Sequence, residues 1–316
     1  MTSSLRVLGS LLAATLCAAS LSACSGETAD ASGGDSRTLG FVNGGTTEFH
    51  TCLQRAVEAE AKTAGATVIA ANSKQDPGTE LSNIEDMISR SVDALIVQTV
   101  NVDALKNDIT KAKGAGIPIF LTSVITSDTS DILGAVVVDL VGVGKLDAGF
   151  VAQDAAGAPV EAGVIAGAPG AASDKLVKGF TEALPATVTV VANQPGMFNR
   201  AKAQDVAENM IQAHPNLKYA FVANEDMAFG ALQAFQAAGK NVKIVTVNGT
   251  DDGLAAVKDG RFAATVANSA TVTGQLAVRN TISLLDKKSN EKIANTPIKL
   301  ITKDNLGEAP QYCLEG

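Results

Sequence analysis

Leu39-Gly40-Phe41-Val42 is a short aliphatic run followed by a segment of helical period near Thr51 to Ala64, and the alternation recurs twice more before residue 100. Ala66 to Ala70 precedes a stretch in which Leu81, Ile84 and Ile88 share one helical face, and Ala94-Leu95-Ile96-Val97 opens a third unit. These runs are continuously apolar, the pattern of strands buried on both faces. Strand-helix-strand order then implies parallel sheets with right-handed crossovers, so the expected fold class is α/β, each sheet sandwiched by helices. Gly163-Val164-Ile165-Ala166, Val188 to Ala192, Tyr219 to Ala223 and Ile244 to Val247 repeat the pattern. The roughly 280 residues from Thr38 onward exceed one usual core and predict two βα domains, with a crossing near Val138 and a return near Ser269. Ligands of such sheets bind outside the carboxyl ends of the strands, which directs attention to the loop after each apolar run.

The chain is 46% hydrophobic and 18% charged with 29 glycines, which describes a large aliphatic core and excludes a disordered polymer. Near the N-terminus a single Arg6 precedes Val7 to Leu21, a run too short and too rich in Ala and Ser to span a membrane, and it reads as a removed signal. Leu21-Ser22-Ala23-Cys24 resembles a bacterial lipobox. Residues 1–23 are therefore expected to be a lipoprotein signal peptide, with Cys24 lipidated as the mature N-terminus. The alternative is an ordinary secretory signal ending at the same site, and either reading exports the protein. Residues 24–37 are, besides Cys24, Thr28 and Arg37, only Ser, Gly, Ala, Asp and Glu, with almost no large apolar side chain, as in a flexible tether. Acyl chains on Cys24 would hold the chain to the outer face of the cell membrane. The net charge of −8 becomes about −9 without residues 1–23, which hold Arg6 and no acid. That balance argues against nucleic-acid capture and against membrane contact other than through lipid.

With Cys17 in the signal and Cys24 carrying lipid, only Cys52 and Cys313 remain. In an exported chain they either form a disulfide, the favoured reading, or stay as two buried thiols. Four cysteines and two histidines make no zinc cluster, so no metal is expected. Gly142-Val143-Gly144 fails the G-x-G-x-x-G spacing, the loop Gly167 to Gly170 lacks the Lys-Ser/Thr of a phosphate loop, and His214 sits in a helix-ending turn with no nucleophile beside it. No catalytic set and no cofactor site emerge.

Asn224-Glu225-Asp226-Met227-Ala228-Phe229-Gly230-Ala231-Leu232, then Val247-Asn248-Gly249-Thr250-Asp251-Asp252-Gly253, then Gly260-Arg261-Phe262-Ala263-Ala264-Thr265-Val266 resemble three consecutive signatures of the ribose- and galactose-binding type of periplasmic binding protein. Gln194 to Arg200 and Gly116-Ile117-Pro118-Ile119 resemble the same family, so the likeness covers nearly everything after Arg37. It implies a two-lobed type I fold with a three-strand hinge, 38–138 plus 269–297 forming the first lobe and 139–268 plus 298–316 the second lobe and tail. It also implies a non-catalytic, monomeric receptor that closes on a small-molecule sugar or polyol and docks on the permease subunits of an ABC importer. Repressors sharing this core carry a DNA-binding module that has no counterpart here.

Carried over residue by residue, the resemblance places Phe49 and His50 where ribose-binding relatives have two adjacent aromatics, and Phe198 where a third faces them; such rings stack on the C–H face of a sugar. Core packing is the other reading for both phenylalanines. Asn224, Asn248 and Asn268 fall where amides or carboxylates meet hydroxyls, with Asn248 replacing the usual Asp. Ser123-Val124 stands where relatives have Asp-Arg, and Asp174 where the ribose binder has an arginine, which argues against ribose itself. Asp139 aligns with a ligand-contacting carboxylate, Thr47 adds a hydroxyl, and Arg200 stands nearby, either in the pocket or ion-paired at its rim. This set is neutral or negative, so phosphorylated and carboxylated ligands are disfavoured against a neutral polyol, pentose or hexose, with an amine admitted if Asp174 points inward. A sensing lipoprotein that presents a furanone-like signal or sugar to a receptor is the second reading.

Overall fold

The computed structural model describes residues 36–315. Cys24, the expected signal and nearly all of the tether lie outside them. Among the described residues no helix is long and apolar enough to cross a membrane. The first half runs β1 (Thr38–Asn43), α1 (Glu48–Thr63), β2 (Thr67–Asn72), α2 (Pro77–Ser89), β3 (Ala94–Val97), α3 (Leu105–Gly114), β4 (Ile119–Ser123) and β5 (Gly134–Val138). It continues through α4 (Leu140–Ala155), β6 (Val160–Ala166), α5 (Ala171–Ala183), β7 (Val188–Pro195), α6 (Arg200–Ala213), β8 (Leu217–Val222) and α7 (Glu225–Ala237). β9 (Lys243–Asn248), α8 (Asp251–Lys258), β10 (Ala264–Asn268), α9 (Ala270–Leu285), β11 (Ile293–Thr296) and β12 (Ile298–Ile301) complete the regular elements.

Two six-stranded sheets form, in the orders β11-β5-β4-β3-β1-β2 and β12-β10-β9-β8-β6-β7. All pairs are parallel except β10 with β12. The continuous apolar runs explain the layering, because successive residues of one strand feed different cores. Leu39, Phe41, Ala94, Ile96 and Phe120 pack with Leu53 and Val57 of α1 and Val278 of α9. Their neighbours Val42, Leu95, Val97 and Leu121 pack with Ile84 and Met87 of α2 and Ile109 of α3 on the opposite face. In the second sheet α4 and α5 pack together, as do α6 and α7. Gly144 and Gly179 let the first of these pairs approach closely: a Cβ on either would stand 2.3 Å from the Leu176 carbonyl oxygen or 2.1 Å from that of Val141.

Three crossings join the sheets, from β5 to α4, from β10 to α9 and from β11 through Pro297 to β12. Beyond a short turn at Leu306–Glu308 the chain returns to the first lobe, where a disulfide joins Cys313 to Cys52 of α1. Two local expectations need correction. β2 is an edge strand with no fully buried residue, because it pairs only with β1. α1 begins at Glu48, ahead of the expected Thr51, with an extended Thr47 at its N-cap whose hydroxyl makes no capping bond.

Candidate functional site

The carboxyl ends of the central strands of both sheets open onto one cavity of about 210 Å³. That is below the ~300–1,000 Å³ of drug-sized sites and suits a compact ligand.

On the first-lobe wall, Thr47 at the N-cap of α1 makes no side-chain capping bond, and its hydroxyl lies 2.8 Å from His50 Nδ1. Gln98 Oε1 accepts from the Gly44 N–H at 3.0 Å, so the His50 Nε2 found 3.1 Å from the same oxygen must donate to it. Nδ1 is then the acceptor, and Thr47 donates to it. Burial pushes the His50 pKa down to about 4, with the Gln98 bond opposing, so the ring is a neutral brace between Thr47 and Gln98. Ser123 ends β4 at φ 69 in a tight turn closed by Val124 N to Thr122 O at 2.8 Å. Its hydroxyl oxygen is buried without a partner. Backbone strain and an unpaired buried hydroxyl thus coincide at the cavity wall.

On the second-lobe wall, Asn224 caps α7 by accepting from Met227 N at 2.9 Å through Oδ1, so its Nδ2 takes no part in the cap. Asn268 Oδ1 is buried and unpartnered. Phe198 takes φ 51 after Met197 at φ 61, and its ring lies over Gly167, where any Cβ would stand 2.1 Å from Cζ. Phe49 lines the cavity from the first lobe.

Behind these walls two buried carboxyls hold the loops. Glu80 accepts from Thr99 Oγ1 at 2.7 Å and Val100 N at 2.6 Å, fixing the loop after β3. Glu225 accepts from Gly249 N and Thr250 N, both at 2.8 Å, from Thr250 Oγ1 at 2.5 Å and from Thr265 Oγ1 at 2.6 Å, fixing the loop after β9. Burial raises the pKa of each to about 7 against the pull of these donors.

Thr47, Phe49, His50, Ser123, Phe198, Asn224, Asn248 and Asn268 line the one cavity. Three other expected residues do not: the expectation is corrected for Asp139 and Asp174, while Arg200 takes the second of its two readings, the ion pair. The Asp139 carboxylate accepts from Gly142 N at 2.8 Å and caps α4 from an exposed position. Asp174 lies one step around α5 from Ser173: Ser173 and Leu176 line the cavity, whereas Asp174, Val177 and Lys178 line an adjoining recess that Ser173 also borders. Arg200 is half-exposed, paired with Asp226 at 2.8 Å and set 5.3 Å over the Phe229 ring. No charged side chain remains among the described lining residues. Glu48, next to the lining residues Thr47 and Phe49 but not itself among them, has its pKa raised by burial and then by Asp252, Asp226 and Asp251.

Sequence reasoning missed Gln75, Gln98 and Thr99. Gln98-Thr99 had a usable signal, since this polar pair directly follows the apolar run Ala94 to Val97.

The Periplasmic binding protein domain matches residues 39–289. The chain is 32% identical over 256 residues to the ribose import binding protein of Bacillus subtilis (strain 168), covering 81% of this chain and 83% of that protein. It is 29% identical over 313 residues to the xylitol-binding protein of Mycolicibacterium smegmatis, covering 96% and 88%. Among solved structures, the periplasmic binding protein component of the arabinose ABC transporter from Shewanella sp. ANA-3, bound to α- and β-L-arabinofuranose, matches with a TM-score of 0.80 at 27% identity, over 85% of this chain and 93% of that one. Two helix-flanked sheets, a cavity at their strand ends and a domain match running through both sheets lead to one assignment: the chain belongs to the periplasmic binding protein family, with the two-lobed type I fold of its ribose- and galactose-binding type.

Proposed function

We propose that this protein is the substrate-binding component of an ABC importer and that its cleft takes a neutral sugar or polyol. The observation that carries the reading is the pairing of Ser123 Oγ from one lobe with Asn268 Oδ1 from the other, both buried and unpartnered on a cavity wall without charge. An unpaired buried polar atom costs about 1–3 kcal/mol, which ligand hydroxyls spanning the two lobes would relieve. No lysine or arginine lines the cavity to meet a phosphate or carboxylate. The relatives named for ribose, xylitol and arabinofuranose bind compounds of this neutral, hydroxyl-rich kind.

Residues 38–138 with 269–297 and residues 139–268 with the chain from 298 through β12 are the two bodies that close about the hinge, and the tail is fastened back to the first lobe at Cys313. A ligand touching both lobes favours the closed form by its differential affinity, and that form docks on the permease as a monomer. Leu21-Ser22-Ala23-Cys24 supports lipid anchoring of the exported protein. Cys24→Ala is expected to move it from the membrane to the soluble fraction on cell fractionation; retention at the membrane would overturn the anchor.

The functional test is a thermal-shift series on the mature protein against pentoses, hexoses, polyols, amino sugars, furanones, amino acids and nucleosides. Concentration-dependent stabilisation confined to sugars or polyols is expected. Stabilisation only by an amine, a furanone or a nucleoside would overturn the reading. With the ligand so found, Phe198→Ala is expected to raise the Kd about 30-fold, equivalent to about 2 kcal/mol of lost ring contact. The ligand-free melting temperature should change little, because the ring is only partly buried; a large drop without ligand would place Phe198 in the core instead.

A further inference from the structure

The C-terminal tail touches both lobes. Cys313 is bonded to Cys52, two residues beyond His50 on α1 of the first lobe. The Gln311 carbonyl accepts from Ser269 Oγ at 2.5 Å, and the Tyr312 carbonyl accepts from Thr271 N and Thr271 Oγ1, both at 3.1 Å. These bonds fasten the tail to the start of α9, immediately after the crossing from β10. The Tyr312 side chain is 3% exposed and clusters with Cys52 and Ala270, with Phe49 and Cys313 packed against them. At its tip the hydroxyl accepts a hydrogen bond from Nδ2 of Asn248, on the second-lobe wall of the cavity.

Asn248 ends β9 at φ 138, a backbone conformation rare for a residue with a side chain. Its amide has a donor end and an acceptor end, and nothing in β9 itself selects which one meets a ligand. With Nδ2 engaged by Tyr312, Oδ1 is the end left for the cavity. We propose that residues 309–313 are a recognition strap: Tyr312, pinned to the first lobe through Cys52–Cys313, is a positioning residue that holds the Asn248 side chain by its Nδ2 and so leaves Oδ1 as the uncharged end offered to a ligand hydroxyl. Asn248 thereby does for a ligand what a carboxylate would do at that position, without adding charge to the cleft. The strap also couples recognition to the redox state of a bond on the opposite lobe. The inference rests on the cleft being the ligand site.

The test uses the mature protein, Tyr312→Phe and the double variant Cys52→Ser/Cys313→Ser, each with and without Asn248→Asp. Without ligand, the Asn248 side-chain amide protons, followed in a ¹⁵N-resolved spectrum, are expected to exchange with solvent about tenfold faster in Tyr312→Phe and in the double cysteine variant. With the sugar or polyol that gives the largest thermal shift, calorimetry is expected to show Kd raised about three- to tenfold by Tyr312→Phe, the scale of one neutral hydrogen bond. In the Asn248→Asp background, where either rotamer offers an acceptor, the same substitution should raise Kd less than twofold. Unchanged amide exchange, or equal losses in the two backgrounds, would overturn the strap. Failure of every compound to bind the wild type strikes the cleft reading instead, and the ligand-free exchange measurement still decides the strap.

Discussion

Opening the Cys52–Cys313 bond is expected to lower the stability of the folded protein by about 4 kcal/mol, the upper part of the usual range for a single disulfide. The two cysteines are 261 residues apart in sequence, so the cross-link closes a loop spanning nearly the whole folded chain. Loop-closure entropy grows slowly with length, but at this separation the constraint on the unfolded state is near its largest. The folded state loses as well. Tyr312 and Cys52 are buried against Ala270 at the start of α9, and a released tail exposes that patch. For a domain of this size each kcal/mol moves the melting temperature by roughly 2–4 °C, so a fall of about 10 °C is expected on reduction or in Cys52→Ala/Cys313→Ala. Differential scanning calorimetry of oxidised and reduced protein checks it. A fall below about 2 °C would mean that the bonds from Ser269 and Thr271 hold the tail without covalent help.

The layering of the fold was legible because parallel strands buried on both faces leave unbroken apolar runs, and Ala94 to Val97 is buried at every residue. Asn224, Asn248 and Asn268 were named through the family resemblance, and strand-end reasoning points to the same places, since each lies at or within two residues of a strand's carboxyl end. Charge in the cleft was not legible. Whether Asp139 points inward depends on whether its carboxylate is claimed by Gly142 N, and whether Asp174 does depends on a rotation of one residue around α5. Neither is written in spacing from a neighbouring motif. The start of α1 was read late because its first turn, Glu48 to Thr51, holds no fully buried side chain and the apolar face opens only at Cys52 and Leu53. Tyr312 left no local trace, because its role depends on a tail that returns across almost the full length of the chain.

Glu80 and Glu225 are expected to make the stability of this protein rise as the pH falls from 7 to about 5. Both carboxyls are raised to about 7 in the folded protein, chiefly by burial, against an ordinary value of 4.5 when unfolded. Over that interval the folded state binds more protons than the unfolded one, so lowering the pH favours folding. Each contributes about 2 kcal/mol between pH 7 and pH 5, so the pair contributes about 4 kcal/mol. Asp147, fully buried with neither carboxyl oxygen partnered and with Glu225 as its charged neighbour, is shifted the same way and adds to the gain. His50 opposes it. The unfolded histidine takes a proton below about 6.5 and the folded one only near 4, which costs about 2 kcal/mol across the same interval. The carboxyls outweigh the single histidine, leaving a net gain of roughly 2 kcal/mol. Asp154 and Asp286, whose carboxyls are lowered, begin to count only below their unfolded value near 3.8. Urea midpoints at pH 7, 6 and 5 should therefore increase stepwise, with Glu80→Gln or Glu225→Gln flattening the slope and His50→Gln steepening it. Because the two glutamates hold the loops that carry Thr99 and Asn248 to the cavity, a midpoint that instead fell from pH 7 to 5 would mean these loops are held by ionised carboxylates with ordinary affinities for protons.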